Sequence, residues 1–178
     1  MSNHLIIGLG GTGGKVIRAF RKIIFQEFRD TEPSDVHIGY LYVDSDRRMM
    51  APDDPSWKIL GHLVQLGKNS QLCIEGADLQ NRLDNVRNFP GLRDWLGDRQ
   101  QWHDILRSFA GGTIFGGQKR RLGRFLFACN VERFSEQLHQ QVTQLHRATN
   151  QADITFHVVC GLAGGTGSGS LVDVLTQI

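Results

Sequence analysis

The chain has 178 residues, of which 40% are hydrophobic and 21% charged, a balance typical of one globular domain. Its net charge of +2 excludes a protein that binds polyanions through overall charge, so no specific nucleic-acid partner is predicted. Three scattered cysteines without a C-x-x-C pair exclude a disulfide framework and favour a reduced, cytoplasmic protein. No apolar run approaches membrane-spanning length, so no membrane partner is predicted.

The first predicted element is a buried strand at residues 5–7, followed at once by a glycine-rich stretch at residues 8–14. Apolar residues then recur at helical spacing over residues 16–28. A G-x-G-x-x-G pattern between a strand and a helix predicts a phosphate near the helix N-terminus. The alternative is a glycine turn that serves only close packing of helix and strand. The predicted contacts are Gly10, Gly11, Thr12 and Gly13.

A second predicted strand, residues 37–43, ends in the sequence Val43-Asp44-Ser45-Asp46. Ligands of open α/β sheets bind at the carboxyl ends of the strands, so Asp44 and Asp46 are predicted to lie beside the first glycine loop. Carboxylates beside phosphates hold Mg²⁺, usually through its waters. One carboxylate bonding a ribose hydroxyl, or a solvated turn that caps a helix, remain the alternatives.

In the middle of the chain the sequence pattern predicts secondary structure but no functional site. Residues 62–67 predict a short strand, and residues 75–109 predict two helical pieces separated at Pro90-Gly91. A third glycine-rich stretch, residues 110–117, precedes four cations within residues 119–124 at the start of a long helix. The helix dipole disfavours cations there unless an anion binds nearby; the alternative is a solvated basic face.

The last predicted strand, residues 154–160, leads into a second glycine loop and a final helix at residues 171–178. Five of the eleven residues 160–170 are glycine. Successive backbone N–H groups in such a turn bind anions, and the following helix adds its positive dipole end. A flexible Gly/Ser linker is the alternative, but it would not separate a buried strand from a helix. The predicted contacts are Ala163, Gly164, Gly165, Thr166, Gly167 and Ser168.

Strands that alternate with long helical patterns predict an α/β fold. We expect a Rossmann-like, mainly parallel sheet with helices on both faces, and one domain over residues 1–178. The glycine-rich loops should then cluster at one edge of the sheet.

These motifs, in this order, resemble the nucleotide-binding half of the tubulin/FtsZ superfamily. The specific part is Gly164-Gly165-Thr166-Gly167-Ser168-Gly169, which resembles the tubulin signature G-G-T-G-S-G, although tubulins usually have glycine where Ala163 stands. The stretch 8–14 resembles the first phosphate loop, and the sequence around Asp44 resembles the V-D-x-E turn near the Mg²⁺. Residues 111–124 resemble the loop that senses the γ-phosphate. The chain is most similar to the divergent bacterial tubulin-like proteins.

The resemblance implies a GTP-binding, cytoskeletal protein that uses Mg²⁺ and associates with itself. It adds Gly111, Gly112 and Arg124 to the expected nucleotide contacts. In the family, the sugar-contacting loop, the guanine-reading asparagine and the water-activating acidic loop lie beyond the position of Ile178. This chain alone is therefore expected to bind GTP weakly and to hydrolyse it negligibly, and no catalytic residue is assigned.

Two other classes of protein compete with this interpretation. An E1/ThiF-like adenylating enzyme, or a dinucleotide-binding Rossmann enzyme, shares the first glycine loop and the acidic strand end. Neither class has a reason to carry the second loop, and the adenylating enzymes usually carry C-x-x-C zinc pairs. A non-catalytic interaction module with a tubulin-like fold is the third interpretation. Titration with GTP, ATP and NAD separates the three.

Overall fold

The computed structural model describes residues 3–33, 37–52, 54–75, 79–88, 90–97, 102 and 119–178. Its strands are β1 (Asn3–Leu9), β2 (Ile38–Asp44), β3 (Lys58–Ile59), β4 (His62–Leu63), β5 (Gln71–Cys73) and β6 (Ile154–Cys160). Its helices are α1 (Gly10–Phe28), α2 (Leu79–Asp84), α3 (Pro90–Leu96), α4 (Arg120–Ala128), α5 (Val131–Thr149) and α6 (Thr166–Leu175).

Four of the strands form one parallel sheet in the order β5-β2-β1-β6. In its register, Ile6 of β1 lies opposite Tyr40 of β2 on one side and opposite His157 of β6 on the other. A parallel sheet covered on both faces buries near-continuous apolar strands, and six of the seven residues of β1 are buried. The predicted α/β class with a parallel sheet is confirmed.

Alternate side chains of β1 enter two hydrophobic cores, one on each face of the sheet. The core on one face includes Leu5, Ile7 and Leu9 with Phe125 of α4, Phe134 of α5 and Val174 of α6. The core on the other face includes Ile6 with Ile17 and Phe25 of α1. Helices therefore cover both faces of the sheet, and α1 and α6 both begin at the carboxyl ends of neighbouring strands.

The predicted strand at residues 62–67 is wrong in extent and in place. Only His62 and Leu63 are extended, and they pair with β3 in a separate hairpin. Leu60 and Gly61 connect the hairpin with φ of 49° and 80°, the left-handed pair of a type I′ turn. The strand that pairs with β2 in the main sheet is instead β5, which the sequence pattern did not predict.

The predicted helical region after residue 75 contains two helices that the structure describes, α2 and α3. Pro90 is the first residue of α3, where its missing N–H costs no hydrogen bond. Trp102 is buried in the core. The third glycine-rich stretch, residues 110–117, lies outside the described residues. None of the helices in the described part of the chain is long and apolar enough to cross a membrane.

Gly14 is the point at which α1 packs directly on β2. A Cβ at Gly14 would lie 2.7 Å from Cε2 of Tyr42, whose side chain is fully buried. The neighbouring Gly11 differs, because a Cβ there would have no atom within 4 Å. Both residues have backbone angles that alanine adopts in a helix, so only packing separates them.

We therefore expect Gly14→Ala to lower the free energy of unfolding by about 1–3 kcal/mol, the usual cost of overpacking a core. Gly11→Ala, the matched control, should leave stability unchanged or raise it by up to about 1 kcal/mol through helix propensity. Urea unfolding followed by circular dichroism measures both. Equal stabilities would mean that Tyr42 moves aside and that the contact does not constrain the fold.

Candidate phosphate-binding site

Two helix N-termini point into one cleft. The helix α1 begins at Gly10 directly after β1, and α6 begins at Thr166, shortly after β6. Neither helix has a side-chain hydrogen bond that caps its N-terminus. The first four N–H groups of a helix lack partners within the helix, and its N-terminus carries a partial positive charge. The two helices thus offer backbone donors and positive potential to the same space.

The two glycine loops contact each other through their backbones. Gly10 has φ of 66°, and a Cβ there would lie 2.9 Å from the backbone nitrogen of Gly167. A Cβ at Gly167 would lie 2.6 Å from the carbonyl oxygen of Leu9. Only glycine fits these positions, because real Cβ atoms do not approach backbone so closely.

The cleft between the loops has a volume of about 180 Å³. Nine of the predicted contacts line it: Gly10, Gly11, Thr12, Asp44, Asp46, Gly164, Gly165, Thr166 and Gly167. A Cβ at Gly11 would have no atom within 4 Å, and one at Gly164 would meet only the Gly161 carbonyl oxygen, at 3.6 Å. These two backbones therefore border open space that a ligand can occupy.

Asp44 is held in a buried position at the end of β2. Its residue is 4% exposed, and its Oδ2 accepts a hydrogen bond of 2.6 Å from the Tyr42 hydroxyl. The Asp46 N–H donates to Oδ1 at 3.2 Å. Burial raises the pKa of Asp44, and the Tyr42 hydrogen bond partly offsets this rise. Burial also raises the pKa of Tyr42, and the Asp44 charge adds to the rise, so the tyrosine keeps its proton and remains the donor.

Asp46 has a different environment from Asp44. The Arg48 side chain donates from Nε to Oδ1 at 2.8 Å and from Nη2 to Oδ2 at 2.7 Å. The Arg48 N–H adds a third bond, so Asp46 also caps the 3-10 turn Arg47–Met50. These bonds to Arg48 hold the pKa of Asp46 below its usual range. The alternative interpretation of this turn as a helix cap therefore describes Asp46 correctly. Asp46 nevertheless also lines the cleft.

Hydroxyl groups connect the acidic turn to the second glycine loop. Ser45 Oγ and Thr166 Oγ1 lie 2.7 Å apart, and both residues are buried. Ser168 Oγ donates to the Gly164 carbonyl, and Ser170 Oγ donates to the Thr166 carbonyl at 2.7 Å. The hydroxyls of the signature thus hold the shape of the loop, and its backbone remains to meet a ligand.

The remaining predicted contacts lie elsewhere. Gly13 packs behind the cleft, where a Cβ would lie 2.7 Å from the Val159 carbonyl oxygen. Ala163 is exposed, Ser168 is partly buried, and Arg124 pairs with Asp173. Gly111 and Gly112 lie outside the described residues.

Sequence reasoning missed five residues of the site. Leu9, Ser45, Met49 and Gly161 line the cleft, and Tyr42 supports it from the core. Tyr42 and Asp44 are two residues apart on one strand and so share a face of the sheet, which is the one signal the sequence contained. The others depend on contacts between distant segments.

A metal ion at this cleft would depend on the ligand for most of its oxygens. Among the described residues, no group of three or more His, Cys, Asp or Glu side chains is arranged to hold a metal. Asp44 and Asp46 supply the carboxylate oxygens that Mg²⁺ prefers, and Mg²⁺ commonly binds through one or two carboxylates, waters and phosphate oxygens. The residues present fit such an ion.

Comparison with known proteins places the chain among tubulin-like sequences and structures. The sequence matches a family model described as "Tubulin like" over residues 5–178. The fold resembles that of CetZ1 from Haloferax volcanii, a GDP-bound monomer, with a TM-score of 0.55 at 17% identity. The match covers 99% of this chain and 38% of that one. None of the curated proteins matches the sequence.

Because the pKa of Asp44 is raised, its ionised carboxylate is predicted to lower the free energy of unfolding, and to lower it more at higher pH. Its contribution to stability is most favourable below the unfolded pKa, about 3.9, and is lost as the pH rises through the folded pKa. Asp44→Asn should therefore raise Tm at pH 7.5 by roughly 2–4 °C, equivalent to about 1 kcal/mol. The gain should shrink towards pH 4.

Asp46→Asn is the control with the opposite sign. Its lowered pKa stabilises the fold above the unfolded pKa, so this variant should lose up to about 1 kcal/mol at pH 7.5. Thermal unfolding between pH 4 and 8 measures both variants. A lower Tm for Asp44→Asn at every pH would contradict the cost assigned to Asp44.

Proposed function

Because the chain belongs to the tubulin-like family, as its motifs predicted, we propose that the cleft binds a guanine nucleotide, GTP or GDP. The observation that carries the proposal is the meeting of two uncapped helix N-termini at glycine loops that leave open space beside Gly11 and Gly164. Such termini bind phosphate groups through backbone donors and the helix dipole. The choice of guanine rests on the likeness to CetZ1, whose structure contains GDP.

The chain's own groups have separate tasks in this proposal. The N–H groups of residues 10–13 and 165–168 donate to the phosphate oxygens, while the Ser45–Thr166 contact keeps the loop beside the acidic turn. Asp44 and Asp46 would hold a Mg²⁺ ion through its waters, and such an ion would neutralise part of the phosphate charge. Tyr42 keeps the buried Asp44 carboxylate oriented towards the cleft end of β2.

Substitutions that fill the open space test this binding. Gly11→Val and Gly164→Val should each weaken GTP and GDP binding more than about tenfold, or 1.4 kcal/mol, because the side chain occupies phosphate space. Gly67→Val is the matched control, since Gly67 also borders open space but lies outside the cleft. Titration calorimetry with GTP, GDP, ATP and NAD, with and without Mg²⁺, measures the affinities.

Each outcome of the titration has a defined meaning. Tighter binding of ATP than of GTP would overturn the guanine preference, and binding of NAD alone would overturn the family-based proposal. Unchanged affinity in both cleft variants would mean that the nucleotide binds elsewhere. No binding of any nucleotide by the wild-type chain would reject the proposal for this chain.

We also propose that the nucleotide-bound chain associates with itself through the surface around the cleft. Leu162, in the second glycine loop, is 69% exposed although it is a large apolar residue. Its neighbour Gly161 lines the cleft, so Leu162 lies at the rim. Burial of this apolar side chain against a second protein copy would stabilise an assembly.

Leu162→Asp should abolish GTP-dependent assembly while leaving the affinity for GTP within about threefold of wild type, because the side chain points to solvent. Leu60→Asp is the control, since Leu60 is 64% exposed but lies in the turn between β3 and β4. Light scattering and sedimentation with GTP and with GDP measure assembly. Equal loss in both variants, or no assembly by wild type, would contradict the proposal.

A further inference from the structure

The arginine predicted to contact phosphate forms an ion pair inside the protein. Arg124 of α4 donates from Nε to Oδ2 of Asp173 and from Nη2 to Oδ1, each at 2.9 Å. The guanidinium carbon lies 4.5 Å from the ring centre of Trp95 on α3. The two charged side chains are 37% and 26% exposed, so solvent only partly screens the pair. This bidentate geometry is the strongest and most directional form of ion pair.

The ion pair spans two helices whose backbones touch. A Cβ at Gly123 of α4 would lie 2.6 Å from the carbonyl carbon of Gly165 in the loop before α6. A Cβ at Gly169 of α6 would lie 2.8 Å from the backbone nitrogen of Arg124. These backbone contacts set how closely the two helices approach. The Arg124–Asp173 pair adds a directional contact between them that opposes a shift of α6 along α4.

Asp173 lies on the helix that begins at the second glycine loop. It follows Thr166 by seven residues, or roughly 10 Å along the axis of α6. A helix is stiff over two turns, so a shift at Asp173 moves the backbone donors at Thr166 and Gly167. A second arginine reinforces the arrangement, because Arg120 Nη2 donates to the Leu162 carbonyl at 3.0 Å.

We propose that Arg124 and Asp173 are positioning residues, which set the register of α6 on α4 and so hold the second glycine loop in its phosphate-binding geometry. The inference builds on the proposed nucleotide binding but assigns Arg124 a task other than contact with phosphate. Two side chains outside the cleft thereby control the affinity of backbone groups inside it.

Three variants in the full 178-residue chain test the proposal. Arg124→Lys keeps the charge but loses the bidentate fork, and Asp173→Asn loses the charge of the acceptor. The double variant Arg124→Asp/Asp173→Arg reverses the pair. Arg121→Lys is the matched control, because Arg121 lies on the same helix but donates to the Leu96 carbonyl of α3 at 2.8 Å.

Two measurements are made at a temperature where circular dichroism shows every variant folded. One is the affinity for a fluorescent GDP analogue, and the other is amide hydrogen exchange of residues 161–170 without ligand. Each single variant should bind about tenfold more weakly, on the scale that small displacements of positioned groups cost, and should exchange faster in this loop. The reversed pair should bind more tightly than either single variant, and Arg121→Lys should match wild type.

Other outcomes overturn the proposal. If Arg124 contacts phosphate directly, Arg124→Lys weakens binding while Asp173→Asn does not, and the reversed pair is no better than either single variant. If the pair only stabilises the fold, Tm falls while affinity and loop exchange stay unchanged. If wild type binds no nucleotide, the proposed function fails, and the exchange data alone decide the positioning role: unchanged exchange in the single variants rejects it.

Discussion

Contacts between backbones, with no side chain between them, determine the shape of the cleft. Gly10 meets the backbone of Gly167, Gly167 meets the Leu9 carbonyl, and Gly123 meets the Gly165 carbonyl. A single methyl group at any of these positions would push the segments apart. The close approach brings the N-termini of α1 and α6 within reach of one ligand, which neither terminus could enclose alone. At Gly11, by contrast, the missing side chain leaves open space in the cleft.

Local sequence patterns predicted the strands, glycine turns and helices around this cleft. Features that depend on contacts between distant segments could not be predicted in this way. A strand, a glycine turn and a helix each have a short-range signature, and the rule for parallel strand ends placed Asp44 correctly beside the first loop. The hairpin of β3 and β4 has no such signature, since its strands have two residues each and Leu60 adopts a left-handed conformation that leucine rarely takes.

The side chains of the site were harder to assign, because their partners are remote in sequence. Arg124 pairs with Asp173, which lies 49 residues later in the sequence, and Ser45 contacts Thr166, which lies 121 residues later. A cation near the start of α4 conflicts with the helix dipole, and the sequence left open a bound anion or a solvated basic face; for Arg124 the structure shows a third arrangement, an ion pair with Asp173. The anion is a carboxylate of the protein itself, a distinction that depends on the packing of α4 against α6 and that no local pattern contains.

The cleft combines positive and negative charge, and this combination determines which kind of ligand it favours. Two helix N-termini favour an anion, while Asp44 and Asp46 at the end of β2 repel one. Bonds to Arg48 compensate Asp46, but Asp44 is buried, and its hydrogen-bond donors are the Tyr42 hydroxyl and backbone N–H groups of the turn. A lone phosphate would be attracted by the two helix N-termini but repelled by the Asp44 carboxylate. A polyphosphate that carries Mg²⁺ satisfies both sides, since its oxygens meet the backbone donors and its cation meets the carboxylates. Under the proposed function, the same carboxylate that costs stability without ligand would therefore favour a metal-bound polyphosphate over a free anion.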